Sequence, residues 1–178
     1  APEVMARLRE EGFDLILLTG DGAEAARAAA DRAGITSYRA EVLPAAKKDE
    51  VARIREARAG LPRPLVAMVG DGINDGPALA EADVGMAIGT GTDVAIEAGD
   101  IVLVRGDLWG ILQALRLSRA TFRKIRQNLV WAFAYNLVAI PLALLGLLHP
   151  VIAEAAMALS SITVVVNAIT LRRLDLRA

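Results

Sequence analysis

Two apolar stretches near the end of the chain set the tightest limit on its architecture. Leu129 to Leu148 contains no charged residue, and Val151 to Leu171 contains one, Glu154. Each is close to the ~20 residues that a helix needs to cross the hydrocarbon of a bilayer. His149-Pro150 between them suits a tight turn, so the pair reads as a hairpin of membrane helices. Arg116, Arg119, Arg123, Lys124 and Arg126 precede the first span, Arg172, Arg173 and Arg177 follow the second, and the turn carries no lysine or arginine. Cations collect on the cytoplasmic side of a membrane, which predicts that both outer ends of the hairpin lie there. The lipid bilayer is thus an expected partner.

The residues before the hairpin have a different rhythm. Glu3 to Glu11 has the pattern of an amphipathic helix, and Phe13 to Leu18 is a short apolar run of the kind a buried parallel strand shows. Helices are expected over Ala23 to Ala33, closed by Gly34, and over Lys47 to Ala59, with strand-like residues at Tyr38 to Val42 between them. Leu65 to Val69, Val84 to Ile88 and Ile101 to Val104 supply further strands, and a short helix is expected around Asp93 to Ala98. Alternating strands and helices predict parallel βαβ units with a site at the C-terminal strand ends. Leu108 to Arg126 then forms a basic helical stalk, with no acidic residue between Asp107 and Glu154.

Composition narrows the function. A formal net charge of −1 over 178 residues argues against nucleic acid as a partner, because such domains concentrate cations on one face. The absence of cysteine rules out disulfides and thiolate metal sites within this segment. The first ten residues are charged and lack the apolar core of a signal peptide, so the chain reads as beginning inside a domain.

The densest chemistry lies at Gly70-Asp71-Gly72-Ile73-Asn74-Asp75-Gly76-Pro77. Gly70 and Gly72 flank Asp71, so the backbone can turn tightly after a strand and approach a ligand, and Asp75 follows four residues later. Paired carboxylates with backbone amides suit a hydrated Mg²⁺ and a phosphoryl oxygen. The plain structural alternative is a glycine-rich turn capping a helix, but two carboxylates, an asparagine and two glycines in order exceed what a turn requires. Thr19-Gly20-Asp21 ends an earlier apolar strand, where the Thr19 hydroxyl and neighbouring amides can approach a phosphate, although the tripeptide alone is a common turn. Gly89-Thr90-Gly91-Thr92-Asp93 looks like another cradle, but an N-cap at Thr92 or Asp93 is its expected role.

These residues resemble the P-type ion-transporting ATPases, whose hinge signature Gly-Asp-Gly-x-Asn-Asp-x-Pro stands here at Gly70 to Pro77. The resemblance extends back through Thr19-Gly20-Asp21 and Leu43-Pro44-x-x-Lys47 and forward through Ala82 to Asp100. It implies an incomplete haloacid dehalogenase-like, Rossmann-like α/β phosphorylation domain followed by a two-helix transmembrane hairpin. It further implies Asp71 as the main Mg²⁺ ligand, Asp75 as a weaker second acidic ligand, Asn74 beside them, Thr19 as a phosphate contact and Lys47 as the accompanying cation. By residue type alone, a solvated lysine is the default reading of Lys47. Glycine stands at positions 22 and 76 where the family usually has Asn and Ala. Such pumps phosphorylate the aspartate of an Asp-Lys-Thr-Gly-Thr string, which occurs nowhere in this sequence, so the resemblance implies the carboxy-terminal portion of a longer pump. ATP would bind to a domain outside this chain.

Polar residues inside a membrane span are costly and point to function. The spans hold Tyr135, Asn136, Glu154, Met157, Ser160, Ser161 and Asn167. Met157 and Ser160 share a helix face, where a thioether can ligate soft Cu⁺, although methionine also fills gaps and serine packs helices. Tyr135-Asn136 and Met157-x-x-Ser160-Ser161 resemble the copper-transporting subfamily of heavy-metal P-type ATPases, which implies Met157, Ser160, Ser161, Tyr135 and Asn136 around the transported Cu⁺. The lysine and aspartate that zinc-type pumps place in these spans are absent.

The expected organisation is residues 1–107 as part of the phosphorylation domain, 108–126 as stalk, 127–171 as two membrane helices and 172–178 as a cytoplasmic tail. The expected function is part of an ATP-driven Cu⁺ export pump in a bacterial cell membrane, inactive without the missing N-terminal part. Its rivals are a P-type ATPase for Zn²⁺, Cd²⁺ or K⁺, a phosphatase of the haloacid dehalogenase class, and a non-catalytic truncated membrane interaction protein.

Overall fold

The computed structural model describes residues 1–70, 74–89, 99–147 and 149–175. The chain divides into two compact units, Ala1–Leu112 and Gln113–Ala178.

The first unit alternates helix and strand in the order α1 (Pro2–Glu10), β1 (Ile16–Leu18), α2 (Ala23–Ala33), β2 (Ser37–Arg39), α3 (Pro44–Arg58), β3 (Ala67–Gly70), α4 (Gly76–Glu81), β4 (Val84–Ile88) and β5 (Ile101–Leu103). All the paired strands run parallel, with Leu17 opposite Tyr38, Val69 opposite Met86 and Ala87 opposite Val102. Parallel neighbours need a crossover, and α2 and α4 supply it within the sheets β1-β2 and β3-β4-β5.

Local chemistry explains the element ends. Helix α2 stops at Gly34, whose φ of 71° is the left-handed conformation that glycine adopts without strain. Helix α3 begins at Pro44, earlier than the charged run from Lys47 suggests, because proline has no N–H to leave unpaired and a φ already set for a first helical turn. The helix expected over Asp93 to Ala98 lies outside the described residues. Val4, Met5 and Leu8 of α1, Ala26 and Ala30 of α2 and Val51 of α3 are buried. Leu79 of α4 packs on Ala87 of β4, with Met68 of β3 beside them.

The second unit is built from α5 (Trp109–Leu144), which begins at the end of the first unit, and α6 (Pro150–Ile169), which tightens into a 3₁₀ turn over Thr170–Arg173. The stalk and first span that the sequence separates by charge are one 36-residue helix. At 1.5 Å per residue it is about 54 Å long. Side-chain polarity changes after Arg126, but the backbone hydrogen-bond ladder does not depend on it, and no glycine or proline interrupts 111–140. His149 is the N-cap of α6, its Nδ1 accepting from the Val151 amide at 3.3 Å.

The helices pair antiparallel. The Tyr135 hydroxyl donates to the Ala153 carbonyl at 2.9 Å, and nearer the other end Asn167 Nδ2 donates to Asn128 Oδ1 at 2.7 Å. Lys124 Nζ completes this end by donating to Asn167 Oδ1 at 2.7 Å. Both helices are long and apolar enough to cross a membrane, and their apolar side chains are mostly exposed.

Candidate functional site

The two motifs of the first unit sit at the C-terminal ends of β1 and β3, where a parallel sheet places its loops. After β1, the Thr19 amide donates to the Arg39 carbonyl and the Thr19 carbonyl accepts from Val42, both at 3.0 Å. The Thr19 hydroxyl donates to Asp21 Oδ2 at 2.9 Å and accepts from the Asp21 amide at 3.1 Å, while the Asp21 carbonyl accepts from Glu41 at 2.9 Å. Glu41 takes the left-handed conformation, φ 56°, to make this contact. The Thr19-Gly20-Asp21 loop is thus bound to the segment that leads into α3 and Lys47.

The second loop is joined to α3 by an ion pair. Lys47 Nζ lies 2.6 Å from Asp75 Oδ1, and the two side chains are only 15% and 11% exposed. Asp75 is the residue before α4, and its carbonyl takes the amides of Ala78 and Leu79 at 2.9 and 2.8 Å. Its carboxylate does not cap that helix and turns to Lys47 instead. Gly70 makes room for this: a Cβ there would run into Asp75 Oδ2 and stand 2.8 Å from the Asp75 Cβ. Behind the loop, Arg55 Nη1 donates to the Glu81 carbonyl at 2.6 Å and its Nη2 lies 3.3 Å from Asp83, which fixes α3 against α4.

Lys47 and Asp75 are therefore brought together, and Asn74 stands exposed in the turn beside them. Asp71 and Gly72 lie outside the described residues. Thr19 makes no hydrogen bond to Lys47 or Asp75 among the described residues. Arg55 and Glu41 are not marked in the sequence, because an arginine on a charged helix and a glutamate in a loop carry no signal until the elements pack.

Among the described residues no three His, Cys, Asp or Glu side chains cluster as a metal site. Mg²⁺ takes one or two carboxylates and fills its remaining positions with water and phosphate oxygens. Asp75 Oδ1 takes Lys47, and Asp75 Oδ2, beside Gly70, is an acceptor of the required kind.

In the second unit, Tyr135 reaches α6, but Asn136 folds back, its Nδ2 donating to the Ala132 carbonyl of its own helix at 3.0 Å. The Ser161 hydroxyl likewise donates to the Met157 carbonyl at 3.1 Å. Ser160 is half-buried, and Met157 is 65% exposed. The bonds of Asn136 and Ser161 use their hydrogens and leave their oxygen lone pairs available. Asn128 joins Asn167 and Lys124 at the N-terminal end of the first apolar stretch, a role its polar flank position did not signal.

A family model described as haloacid dehalogenase-like hydrolase matches residues 1–83. The Copper-exporting P-type ATPase of Bacillus subtilis (strain 168) is 55% identical over 172 residues, which are 96% of this chain and 21% of that protein. The Cation-transporting P-type ATPase B of Mycobacterium bovis (strain ATCC BAA-935 / AF2122/97) is 56% identical, covering 97% of this chain and 22% of its own length. Among solved structures, a zinc-transporting PIB-type ATPase in its E2.Pi state superposes with a TM-score of 0.82 at 36% identity, over 96% of this chain and 27% of that one. The chain matches a portion of the heavy-metal P-type ATPases. It spans about a fifth of the length of these curated relatives. Its first unit has the haloacid dehalogenase-like fold, and its second supplies a helical hairpin of the length a membrane requires.

Proposed function

We propose that the chain is part of a P-type ATPase that exports Cu⁺ at the expense of ATP through an aspartyl-phosphate, with the phosphorylated aspartate and the nucleotide-binding domain supplied by other segments of the longer protein. The observation that carries the phosphoryl-transfer part of this reading is the Lys47–Asp75 pair, 2.6 Å apart and largely shielded from water. Transfer of a phosphoryl group requires positioning and charge neutralisation more than covalent participation by the surrounding protein. Asp71 and Asp75 would hold Mg²⁺, which would supply neutralisation of charge on the phosphoryl oxygens. Lys47 keeps two N–H donors beyond the one given to Asp75, and these suit a phosphoryl oxygen. At the end of β1 the Thr19 amide is taken by Arg39 and the Asp21 amide by the Thr19 hydroxyl, so a phosphoryl oxygen there would be met by the Gly20 amide and by the Thr19 hydroxyl once it turns from Asp21 Oδ2, and Asn74 adds an exposed polar group beside the second loop. Strands β1 and β3 each pair on one side only among the described residues, so each has an edge where a further parallel strand can add.

Orientation follows from charge. Arg116, Arg119, Arg123, Lys124 and Arg126 before the apolar stretch of α5, with Arg172 and Arg173 after α6, support an orientation with the first unit and the C-terminus in a bacterial cytoplasm. For the cargo, Met157 offers the soft thioether that Cu⁺ prefers, and Ser160, Ser161, Tyr135 and Asn136 are the polar groups that would complete the site. Zn²⁺ is the second reading, favoured by the likeness to a zinc-transporting structure.

The test is phosphoenzyme formation from labelled ATP by the full-length protein. Cu⁺ should raise its turnover, and Asp71→Asn should abolish that turnover while circular dichroism stays unchanged. Near-normal turnover in the variant makes the loop structural. Stimulation by Zn²⁺ and not Cu⁺ shifts the cargo to the second reading.

A further inference from the structure

One charged feature is left unused by phosphoryl transfer and by the ion path. Where α5 enters its apolar stretch, Arg119, Phe122, Arg123, Arg126, Val130 and Trp131 line, with Gln127, a shallow open groove between side chains of this one helix. Arg119, Arg123 and Arg126 are spaced i, i+4 and i+7, so the three guanidinium groups lie on one helix face. That face points away from α6: the residues of α5 that touch α6, Lys124, Asn128 and Tyr135, lie on the other side of the helix. All seven residues lining the groove are exposed. Among the described residues Arg123 and Arg126 form no ion pair, and no acidic side chain occurs between Asp107 and Glu154.

The groove is two-natured along its length. Arginine presents planar, paired N–H donors that match a phosphate better than lysine does. Toward the apolar stretch the lining changes to Val130 and Trp131, and tryptophan favours the boundary between headgroups and acyl chains. A soluble anion has no use for that apolar half. A nucleic acid would need the cations to continue, and they stop at Arg126.

We propose that this face of α5 binds an anionic phospholipid, its phosphate held by Arg123 and Arg126 beside Arg119 and its first acyl carbons against Val130 and Trp131. The lipid belongs to the leaflet that meets the N-terminal end of the apolar stretch. The proposal rests on the reading that α5 and α6 cross a membrane.

The experiment uses the full-length protein in mixed bilayers and reads quenching of Trp131 by brominated phosphatidylglycerol or brominated phosphatidylcholine, with Trp131→Phe subtracted to isolate that signal. The anionic lipid should quench preferentially. A cation near an anionic surface is worth about fivefold in affinity, so Arg123→Gln with Arg126→Gln should lower the preference by roughly tenfold or more. Lys124→Gln removes one charge from the side bound to Asn167 and should leave the preference in place. Equal quenching by both lipids, quenching by neither because other protein covers the face, or an equal fall with Lys124→Gln overturns the proposal. So does relief of quenching by excess inorganic phosphate, which would make this a site for soluble anions. Alkaline carbonate separates the underlying reading: protein stripped from the vesicles refutes membrane spanning itself, whereas protein that stays and shows no headgroup preference refutes the lipid site alone.

Discussion

Lys47 and Asp75, 28 residues apart in sequence, meet with Nζ 2.6 Å from Oδ1, and this contact joins the first turn of α3 to the residue that opens α4. Neither charge is well solvated, so each depends on the other. Removing one partner of a shielded pair leaves the other desolvated and uncompensated, a larger penalty than the pair's net contribution. Lys47→Ala should therefore destabilise the first unit by about 2 kcal/mol, below the fully buried range because both side chains keep some solvent contact. Adding Asp75→Asn should recover part of the loss. Denaturation followed by Trp109 fluorescence in a Trp131→Phe background reads this unit, and additive losses in the double variant would show the two residues to be uncoupled.

Gly70 is a second test of the same loop. An alanine methyl would meet the Asp75 side chain, with 2.8 Å to its Cβ and 2.9 Å to its Cγ. Both are closer than ordinary packing allows, and Asp75 cannot yield without leaving Lys47. Gly70→Ala should lower phosphoenzyme turnover of the full-length protein roughly a hundredfold through misplacement of the loop, with secondary structure retained. Turnover at the parental rate would mean that Asp75 has another position open to it.

The parts of this site differ in how far the sequence foretells them. Gly34 can be read in place, because it acts through its own backbone and needs no neighbour, whereas the charged run from Lys47 masks the start that Pro44 gives α3. The strand Val84–Ile88 is legible for a similar reason: a short apolar run bounded by turn residues suits a buried strand wherever it packs. The course of α5 is not. A change from cations to apolar side chains after Arg126 looks like a boundary, yet the helix passes through it. Least legible are contacts made across elements. The residue types alone leave Lys47 a solvated lysine, and only the packing of α3 beside α4, with Arg55 on Glu81 and Asp83, encloses it with Asp75. The shared helix face of Met157 and Ser160 follows from their spacing, but that Asn136 bonds its own helix while Tyr135 crosses to Ala153 depends on how α5 and α6 rotate against each other.

Topology gives a prediction independent of catalysis. His149 caps α6 between two helices whose outer ends carry the cations. A cysteine replacing His149 in intact cells should react with an impermeant thiol reagent, and one replacing Ala178 should react only after permeabilisation. The reverse labelling would put the phosphate loop on the wrong side of the membrane for ATP.

The cargo prediction isolates one sulfur atom. Met157 is 65% exposed on α6, one turn from the half-buried Ser160, and its carbonyl already accepts the Ser161 hydroxyl at 3.1 Å. A methionine needed only for volume is replaced by leucine at a cost of less than about 1.5 kcal/mol. A methionine that ligates Cu⁺ is not, because leucine has no lone pair and the serine hydroxyls are hard donors. In the full-length protein, Met157→Ala and Met157→Leu should both lose Cu⁺-stimulated ATPase activity, with thermal stability nearly unchanged in the leucine variant. Activity restored by leucine would make Met157 a packing residue and return the cargo site to the polar groups around Tyr135 and Asn136.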